Sequence, residues 1–307
     1  MRPSFGMAGM RRVTQAIVGG AVVLAGVLLF LKVRDSRTFF DPAVLLSRFP
    51  VEEAAVFSAD VAKLRAGGFL AGSTVPLEAE YKQFVDASGF EYKRDLDLVA
   101  ASFSASGTYF IARGRFDFQK LETYAKSQGG NCYQKLCRMQ GSKPERRISF
   151  LPLRDDVIAL AVSTDDLAAA KLENPGPRVT AKLPAEPVWL TVPGAYLRSR
   201  ELLPMSVRVT LSGITTADKV TFTVAEAGQG IELRMQASCR SLDEARILSS
   251  QLRSSTSQLK DAVAKGGTTV DDLVKSLAGG NFDQTEKLVS GRWPLPRTLL
   301  QTLTSGI

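Results

Sequence analysis

Histidine is absent from this chain of 307 residues. Its absence excludes catalytic pairs in which histidine activates a serine or a cysteine, and it removes the commonest nitrogen ligand of zinc. The composition does not exclude enzymes whose catalytic groups are carboxylates, Lys or Tyr. Paired aspartates occur, but each pair stands at a predicted turn or helix start, where Asp is favoured without any catalytic task. We therefore expect no catalytic residue, no metal site and no cofactor, and the composition favours a binding or structural role.

Charge of one sign is not concentrated along the sequence. Lys and Arg number 39 against 31 Asp and Glu, which gives a formal charge of +8, and the two signs are interleaved. Nucleic-acid-binding proteins show a basic stripe with interleaved aromatic residues, and we find no such stripe in the sequence. We expect no nucleic-acid partner, whereas weak attraction to anionic lipid head groups suits a basic protein held near a membrane.

Cysteine is scarce, with three residues in the chain. Cys132 and Cys137 bracket four residues, a spacing at which the two ends of a hairpin face each other. In an oxidising compartment such a pair forms a disulfide, and the alternative is two ordinary buried thiols. Two cysteines at this spacing are too few for a metal cluster. We expect Cys239 to be a small core residue.

One long hydrophobic run, VTQAIVGGAVVLAGVLLFLKV, occupies residues 13–33. It carries no charged residue between Ala16 and Leu31. As a helix it would be roughly 31 Å long, about the thickness of a hydrocarbon core. We find no small-x-small cleavage site after the run, which favours an uncleaved signal-anchor over a cleaved signal peptide. The sequence thus predicts a single-pass transmembrane helix over residues 13–33.

The orientation of this helix is not decided by its flanking charges. Three basic residues precede the helix, and Lys32, Arg34 and Arg37 follow its last apolar stretch, so the positive-inside rule favours neither orientation. The N-terminal amine favours a cytoplasmic N-terminus, and long C-terminal domains translocate largely regardless of local charge. We expect residues 1–12 in the cytoplasm and the C-terminal body in the periplasm or outside the cell. A body that faces the cytoplasm is the alternative.

Residues 34–50 form a predicted juxtamembrane linker that contains a short apolar piece. Apolar side chains beside a membrane anchor commonly lie in the bilayer interface. We expect the four large apolar residues of this piece to contact the membrane surface. They are Phe39, Phe40, Leu45 and Leu46.

The body divides at the sequence Asn-Pro-Gly-Pro, residues 174–177, because these residues favour a turn or linker. This predicts one domain over residues 51–173, a linker over residues 174–186, and a second domain over residues 187–307. Each half shows a strand, a short helix, and a hairpin that leads into an amphipathic helix. The pattern predicts an α+β fold of two similar domains, each an antiparallel sheet with helices packed on one face.

Local signals place several elements within this pattern. Asp60 and Asp117 each precede a predicted helix as N-cap residues. Ser-Ala-Ser-Gly at residues 104–107 separates two β-forming stretches and predicts a hairpin. Core and hairpin packing is the commoner explanation for four aromatic residues of the second domain, and a ligand groove is the alternative hypothesis. They are Trp189, Tyr196, Phe282 and Trp293.

The first half of the chain contains four sequence stretches that resemble those of a known group of proteins. These are Arg48-Phe49-Pro50, AAVFSADVAKLRAGG over residues 54–68, FVDASGFEYKRDLD over residues 84–97 and TYFIARGRFDFQKL over residues 108–121. With the preceding anchor, they resemble uncharacterised bacterial single-pass membrane-anchored proteins of unknown function. The resemblance implies an envelope location and brings no functional residues with it.

The sequence as a whole favours a membrane-tethered envelope protein with a non-catalytic binding or structural role. Its expected partners are the lipid bilayer and another protein, lipid or component of the envelope. An envelope hydrolase or transferase that works without histidine is the first alternative, and a cytoplasm-facing membrane adaptor is the second. A cleft that brings Asp or Glu together with Lys, Arg or Tyr from distant parts of the chain would favour the enzyme.

Overall fold

The structure, a computed structural model, describes residues 42–50, 53–70, 79–141, 146–177, 183–198, 214–227, 230–266 and 272–296. The predicted cytoplasmic N-terminus, the predicted transmembrane helix over residues 13–33, and Phe39 and Phe40 lie outside the described residues. None of the helices within those ranges combines the length and the apolar character needed to cross a bilayer.

The described strands form one antiparallel sheet of twelve strands. Their order across the sheet is β11-β12-β10-β9-β8-β1-β2-β3-β7-β6-β5-β4. The strands are β1 (Ala55–Asp60), β2 (Leu96–Ser104), β3 (Gly107–Gly114), β4 (Asn131–Tyr133), β5 (Leu136–Gln140), β6 (Arg147–Arg154), β7 (Val157–Ser163), β8 (Val188–Pro193), β9 (Ala217–Ala227), β10 (Gly230–Cys239), β11 (Asn281–Thr285) and β12 (Leu288–Leu295).

Helices cover parts of both sides of this sheet, and the expected α+β class is therefore confirmed. The α-helices are α1 (Pro42–Leu46), α2 (Val61–Ala66), α3 (Ala79–Ser88), α4 (Tyr92–Asp95), α5 (Phe118–Ser127), α6 (Gly194–Arg198), α7 (Leu242–Gly266) and α8 (Asp272–Ala278). A short 3-10 helix, η1, spans Ala168–Leu172.

Two N-caps predicted from the sequence are confirmed. The Asp60 carboxylate accepts a hydrogen bond from the Lys63 N–H at 2.9 Å, and the Asp117 carboxylate accepts one from the Lys120 N–H at 3.1 Å. Each bond satisfies one of the N–H groups that the first helical turn leaves without a partner. The predicted hairpin at residues 104–107 is also confirmed, because β2 pairs with β3 across that turn.

The sheet consists of two halves that meet at strands β1 and β8. The first half has the order β1-β2-β3-β7-β6 and the second half has β8-β9-β10-β12-β11, while β4 and β5 extend the first half at its edge. Phe57 pairs with Leu190, and each is the third residue of a six-residue strand. This register relates the halves by an approximate two-fold axis through that pair. The strands of both predicted domains therefore share one continuous sheet.

The first half is covered on both sides, which we call the front and the back. Ala159 and Ile158 are consecutive in β7, so their side chains point to opposite sides. Ala159 belongs to a front cluster with Leu45, while Ile158 belongs to a back cluster with Leu121 of α5. The prediction of helices on one face is therefore wrong for this half, because α1 and η1 are short apolar segments that fill the front side.

The second half is covered by helices on its back side. Ala245 and Leu248 of α7 join Met235 and Val289 in one buried cluster. Strands β9 and β10 alternate in the manner of half-buried strands, with apolar residues at the back and polar residues at the front. Within the described ranges, no helix packs on the front of β9, β10, β12 or β11. The front side of the second half is therefore an open, polar sheet surface.

Candidate functional site

A cleft of about 730 Å³ lies on the front side, where the two halves of the sheet meet. Its volume is in the range of roughly 300–1,000 Å³ that is typical of ligand pockets. Two chain segments form its apolar wall, one leading into β1 and the other leading into β8. The wall residues are Leu46, Phe49, Pro50, Ala54, Leu183, Pro184 and Ala185.

The floor of the cleft is the sheet itself and is mostly polar. Trp189 and Val56 are its apolar members, and Trp189 is 4% exposed. The hydroxyl groups of Thr191 and Thr221, on neighbouring strands, lie 3.1 Å apart. The remaining hydroxyl and amide side chains of the floor are Ser102, Thr223, Gln236 and Ser238.

The polar floor follows from the alternation of residues in β9 and β10. Lys219, Thr221 and Thr223 point to the front, whereas the residues between them contribute to the back of the sheet. Hydroxyl and amide groups are tolerated at this front surface because it is partly open to solvent, so they need no buried partner. The cleft thus combines one apolar wall with a floor that is rich in hydrogen-bonding groups.

The charged residues of the cleft differ in their pairing. Arg234 lies 3.9 Å from the carboxylate of Glu186, measured from Nη1 to Oε1, and its Nε donates to Glu232 at 2.6 Å. Lys219 is exposed, and it has no ion-pair partner within the described part of the chain. The acid and the arginine of the cleft therefore compensate each other, while Lys219 remains as an uncompensated positive charge.

The predicted membrane-contact residues lie in different environments. Leu45 is 1% exposed and packs in the front core of the first half, so the prediction that it contacts the membrane is wrong. The physical reason is that α1 turns its apolar side onto the sheet. Leu46 is half-buried and lines the cleft. Phe39 and Phe40 lie outside the described residues, so their predicted membrane contact stays a prediction.

Cys132 and Cys137 form a disulfide across the β4–β5 hairpin. The two residues are direct partners in the strand register, with their Cα atoms 4.0 Å apart. The bond ties down the edge of the first half, where β4 has only three residues. Cys239 is a free, buried thiol, and burial raises the pKa of that thiol.

The aromatic candidates divide between the cleft and the core. Trp189 lines the cleft, as the ligand-groove hypothesis requires. Phe282 and Trp293 instead pack edge to face in the back core of the second half, with ring centroids 5.2 Å apart. Tyr196 packs against the same back core. The polar residues of the floor were missed, although the alternation of Lys219, Thr221 and Thr223 with apolar residues was visible in the sequence.

A second polar cluster surrounds the buried Asp95 and is structural in its contacts. The Asp95 carboxylate accepts from Arg94 Nη2 at 2.6 Å, from Arg115 Nε at 3.2 Å and from the Glu91 N–H at 2.9 Å. The hydrogen bond from Arg94 lowers the pKa of Asp95. These bonds hold the turn that leads into β2. Across all the described residues, the Asp95 cluster included, no group of His, Cys, Asp and Glu is arranged to hold a metal ion.

Comparison with known proteins gives no evidence about the role of the cleft. No protein-family model matches the chain, and no curated protein matches it. Among solved structures, crystal form III of TP0453 is similar to 85% of this chain over 98% of its own length, with a TM-score of 0.48 and 9% identity. Crystal form I of TP0453 has a TM-score of 0.44 and 10% identity, and covers 85% of this chain and 96% of its own. At these values the likeness carries no argument about function.

Proposed function

We propose that this protein is a membrane-tethered, non-catalytic binding protein of the bacterial envelope, with the front cleft as its ligand site. The observation that supports this proposal is the cleft, in which an apolar wall faces a floor of hydroxyl and amide groups at the junction of the two halves. Such a combination suits a ligand that has both apolar and polar parts. The envelope component bound there would be an amphipathic molecule or an amphipathic segment of a protein.

Two features support a location on the outer side of a membrane. The hydrophobic run over residues 13–33 has the length and composition of a signal-anchor. The Cys132–Cys137 disulfide is of a kind that persists in oxidising compartments and is rare in the cytosol. A single-pass anchor with the body in the periplasm or outside the cell accounts for both features.

A cleft-filling substitution tests the proposal. Thr221 lies in the centre of the floor and is half-buried, so Thr221→Trp would occupy the cleft from the sheet side. The full chain would be purified from its native membrane under mild conditions and analysed by native mass spectrometry. We expect a co-purified molecule on the unmodified protein and its loss in T221W.

The matched control is Ser290→Trp. Ser290 faces the same front side, two strands from Thr221 and outside the cleft lining. S290W should retain the bound molecule. A bound molecule that persists in T221W, or that is absent from the unmodified protein, would count against the cleft as the ligand site.

A histidine-independent hydrolase or transferase is the second candidate, and one observation favours it. Glu186 and Arg234 come from distant parts of the chain and meet in the cleft. In this case Glu186 would act as the acid or base and Arg234 would orient an anionic group. The co-purified molecule should then be converted on incubation with the protein, and Glu186→Gln should stop the conversion without releasing the molecule.

A further inference from the structure

We propose that the ligand of the front cleft is a single-chain amphiphile with an anionic head group, of the fatty-acid type, whose carboxylate is bound at Lys219. This inference rests on the proposed function and names its ligand class. Three features of the cleft support it: the pairing of its charges, the hydrogen-bonding groups around Lys219, and the position of its apolar wall.

The charges of the cleft favour an anion. Glu186 and Glu232 are both within ion-pair distance of Arg234, so the negative charges of this region are already engaged. Lys219 is the cleft cation that has no carboxylate partner within the described ranges. An anion bound here would acquire a partner and would displace none. A cationic ligand would have to compete with Arg234 for its acids.

Hydrogen-bonding groups surround the same point. Ser238 is the direct neighbour of Lys219 on β10, and Thr221 is two positions further along β9 on the same side. Hydroxyl groups donate to carboxylate oxygens, and a nearby ammonium makes such bonds stronger. Lys219, Ser238 and Thr221 therefore supply three donors of the kind that a carboxylate head group requires.

The apolar wall lies to one side of this polar group. Register pairs Lys219 with Pro193 of β8, and Ala54, which directly precedes β1, lies beyond β8 on the first-half side. Pro50 belongs to the same wall. From there the wall continues through Phe49 and Leu46, with Trp189 in the floor. A ligand with its charge at Lys219 would thus direct a hydrocarbon chain along these residues. A ligand without an apolar part would leave this wall uncovered.

Binding can be measured with defined probes on the full chain in mild detergent-free nanodiscs. Dodecanoate carries the head and the chain, dodecanol the chain alone, and acetate the head alone. Calorimetric titration should give saturable binding of dodecanoate, about tenfold weaker binding of dodecanol, and no measurable binding of acetate. Dodecyl phosphate, as a second anionic head group, should bind within a few-fold of dodecanoate.

Two substitutions locate the head and the chain. Lys219→Met keeps the apolar stem and removes the charge. It should therefore lower the affinity for dodecanoate to that for dodecanol, while the affinity for dodecanol stays unchanged. Lys287→Met is the control, because Lys287 is an exposed lysine in the turn between β11 and β12, outside the cleft lining. Dodecanoate should change the fluorescence of the unmodified protein, and Trp189→Phe should remove that change although Trp293 remains.

Each contrary result has a distinct meaning. Equal binding of dodecanoate and dodecanol, unaffected by K219M, would overturn the anionic head group and leave the cleft as a binding site. Failure of all probes, while T221W still removes a co-purified molecule, would overturn the ligand class alone. Dimers that dissociate in T221W, in the absence of any amphiphile binding, would assign the cleft to a second copy of the chain and overturn the proposal.

Discussion

The two halves of the sheet place different residues in equivalent positions. Starting from the fourth residue of β1, successive partners across the first half are Ser58, Ala100, Ile111, Ala159 and Leu151. Starting from the fourth residue of β8, successive partners across the second half are Thr191, Thr221, Gln236, Ser290 and Asp283. All five residues of the first row are buried, and none of the second row is.

The difference follows from what lies on the front side. In the first half, α1 and η1 exclude water from the row, and a buried polar group there would need a hydrogen-bond partner. Ser149, a buried hydroxyl of this front side, has one, because it accepts the Ala169 N–H of η1 at 3.0 Å. In the second half the row meets solvent and retains hydrogen-bonding capacity. One topology thus provides a closed core on one side of the axis and a binding surface on the other.

Equivalent substitutions in the two rows should have very different effects on stability. Ile111→Ala removes a fully buried side chain and should lower the free energy of unfolding by about 3 kcal/mol. Gln236→Ala, at the equivalent position, should change it by less than about 0.5 kcal/mol because Gln236 is exposed. Urea denaturation of both variants measures the comparison. Similar losses for the two would show that the front of the second half is covered in solution.

A buried carboxylate that pairs with two exposed arginines distinguishes the halves at the entry to their hairpins. Asp95 directly precedes β2, whereas the uncharged Thr216 directly precedes β9. Asp95→Asn should lower the free energy of unfolding by about 2 kcal/mol at neutral pH, since it removes charged hydrogen bonds. The pKa of Asp95 is lowered in the folded protein, so its contribution is present above the ordinary Asp pKa and is lost as the pH falls through the lowered value.

The pH dependence distinguishes this effect from a packing defect. The stability difference between the unmodified protein and D95N should shrink as the pH falls below about 4, and thermal unfolding across pH 2 to 7 would record it. Asp86→Asn is the control, because Asp86 is 61% exposed and pairs with Lys82 on the surface. Asp86→Asn should change the free energy of unfolding by less than about 0.5 kcal/mol. A difference for D95N that stays constant with pH would contradict the ionic explanation.

The disulfide hairpin β4–β5 has no counterpart among the described strands of the second half, and we expect its disulfide to contribute least to the free energy of unfolding. Replacing Cys132 and Cys137 with Ser should lower stability by no more than about 2 kcal/mol, because the closed loop is short. The loss should be local to the hairpin, with faster amide exchange in β4 and β5 than in β6.

An impermeant thiol reagent applied to intact cells should label the pair only after reduction. Labelling that requires lysis and no reductant would favour the cytoplasm-facing adaptor.

Local structure was largely accessible from the sequence. Asp60 and Asp117 predicted the starts of their helices correctly, because an N-cap residue interacts only with the first turn of its own helix. The two-sided burial of the first half was also encoded, since β3 and β7 read as nearly continuous apolar runs, whereas β9 and β10 alternate. Continuous apolar strands indicate a sheet covered on both faces. The prediction of one covered face overlooked that distinction.

The junction and the cleft depended on contacts between distant segments. The pairing of β1 with β8 joins backbone edges, and neither strand carries a side-chain pattern that specifies the other. The meeting of Glu186 with Arg234 follows from that pairing and from the course of the chain before β8. Leu45 and Leu46 were expected to act alike, but adjacent helical residues face different directions. Leu45 is fully buried in the front core, whereas Leu46 is half-buried, packs against that core and also lines the cleft.

The β1–β8 pair also has a consequence for how the chain can be divided. Cutting it between the halves would leave β1 as an unpaired strand edge, and such edges recruit strands from other molecules. Since Phe57 pairs with its own counterpart Leu190, two copies of the first half could adopt the same register with Phe57 opposite Phe57. Covalent linkage gives β1 one partner at a high effective concentration. The connection between the halves thus protects the chain against self-association through its central strand.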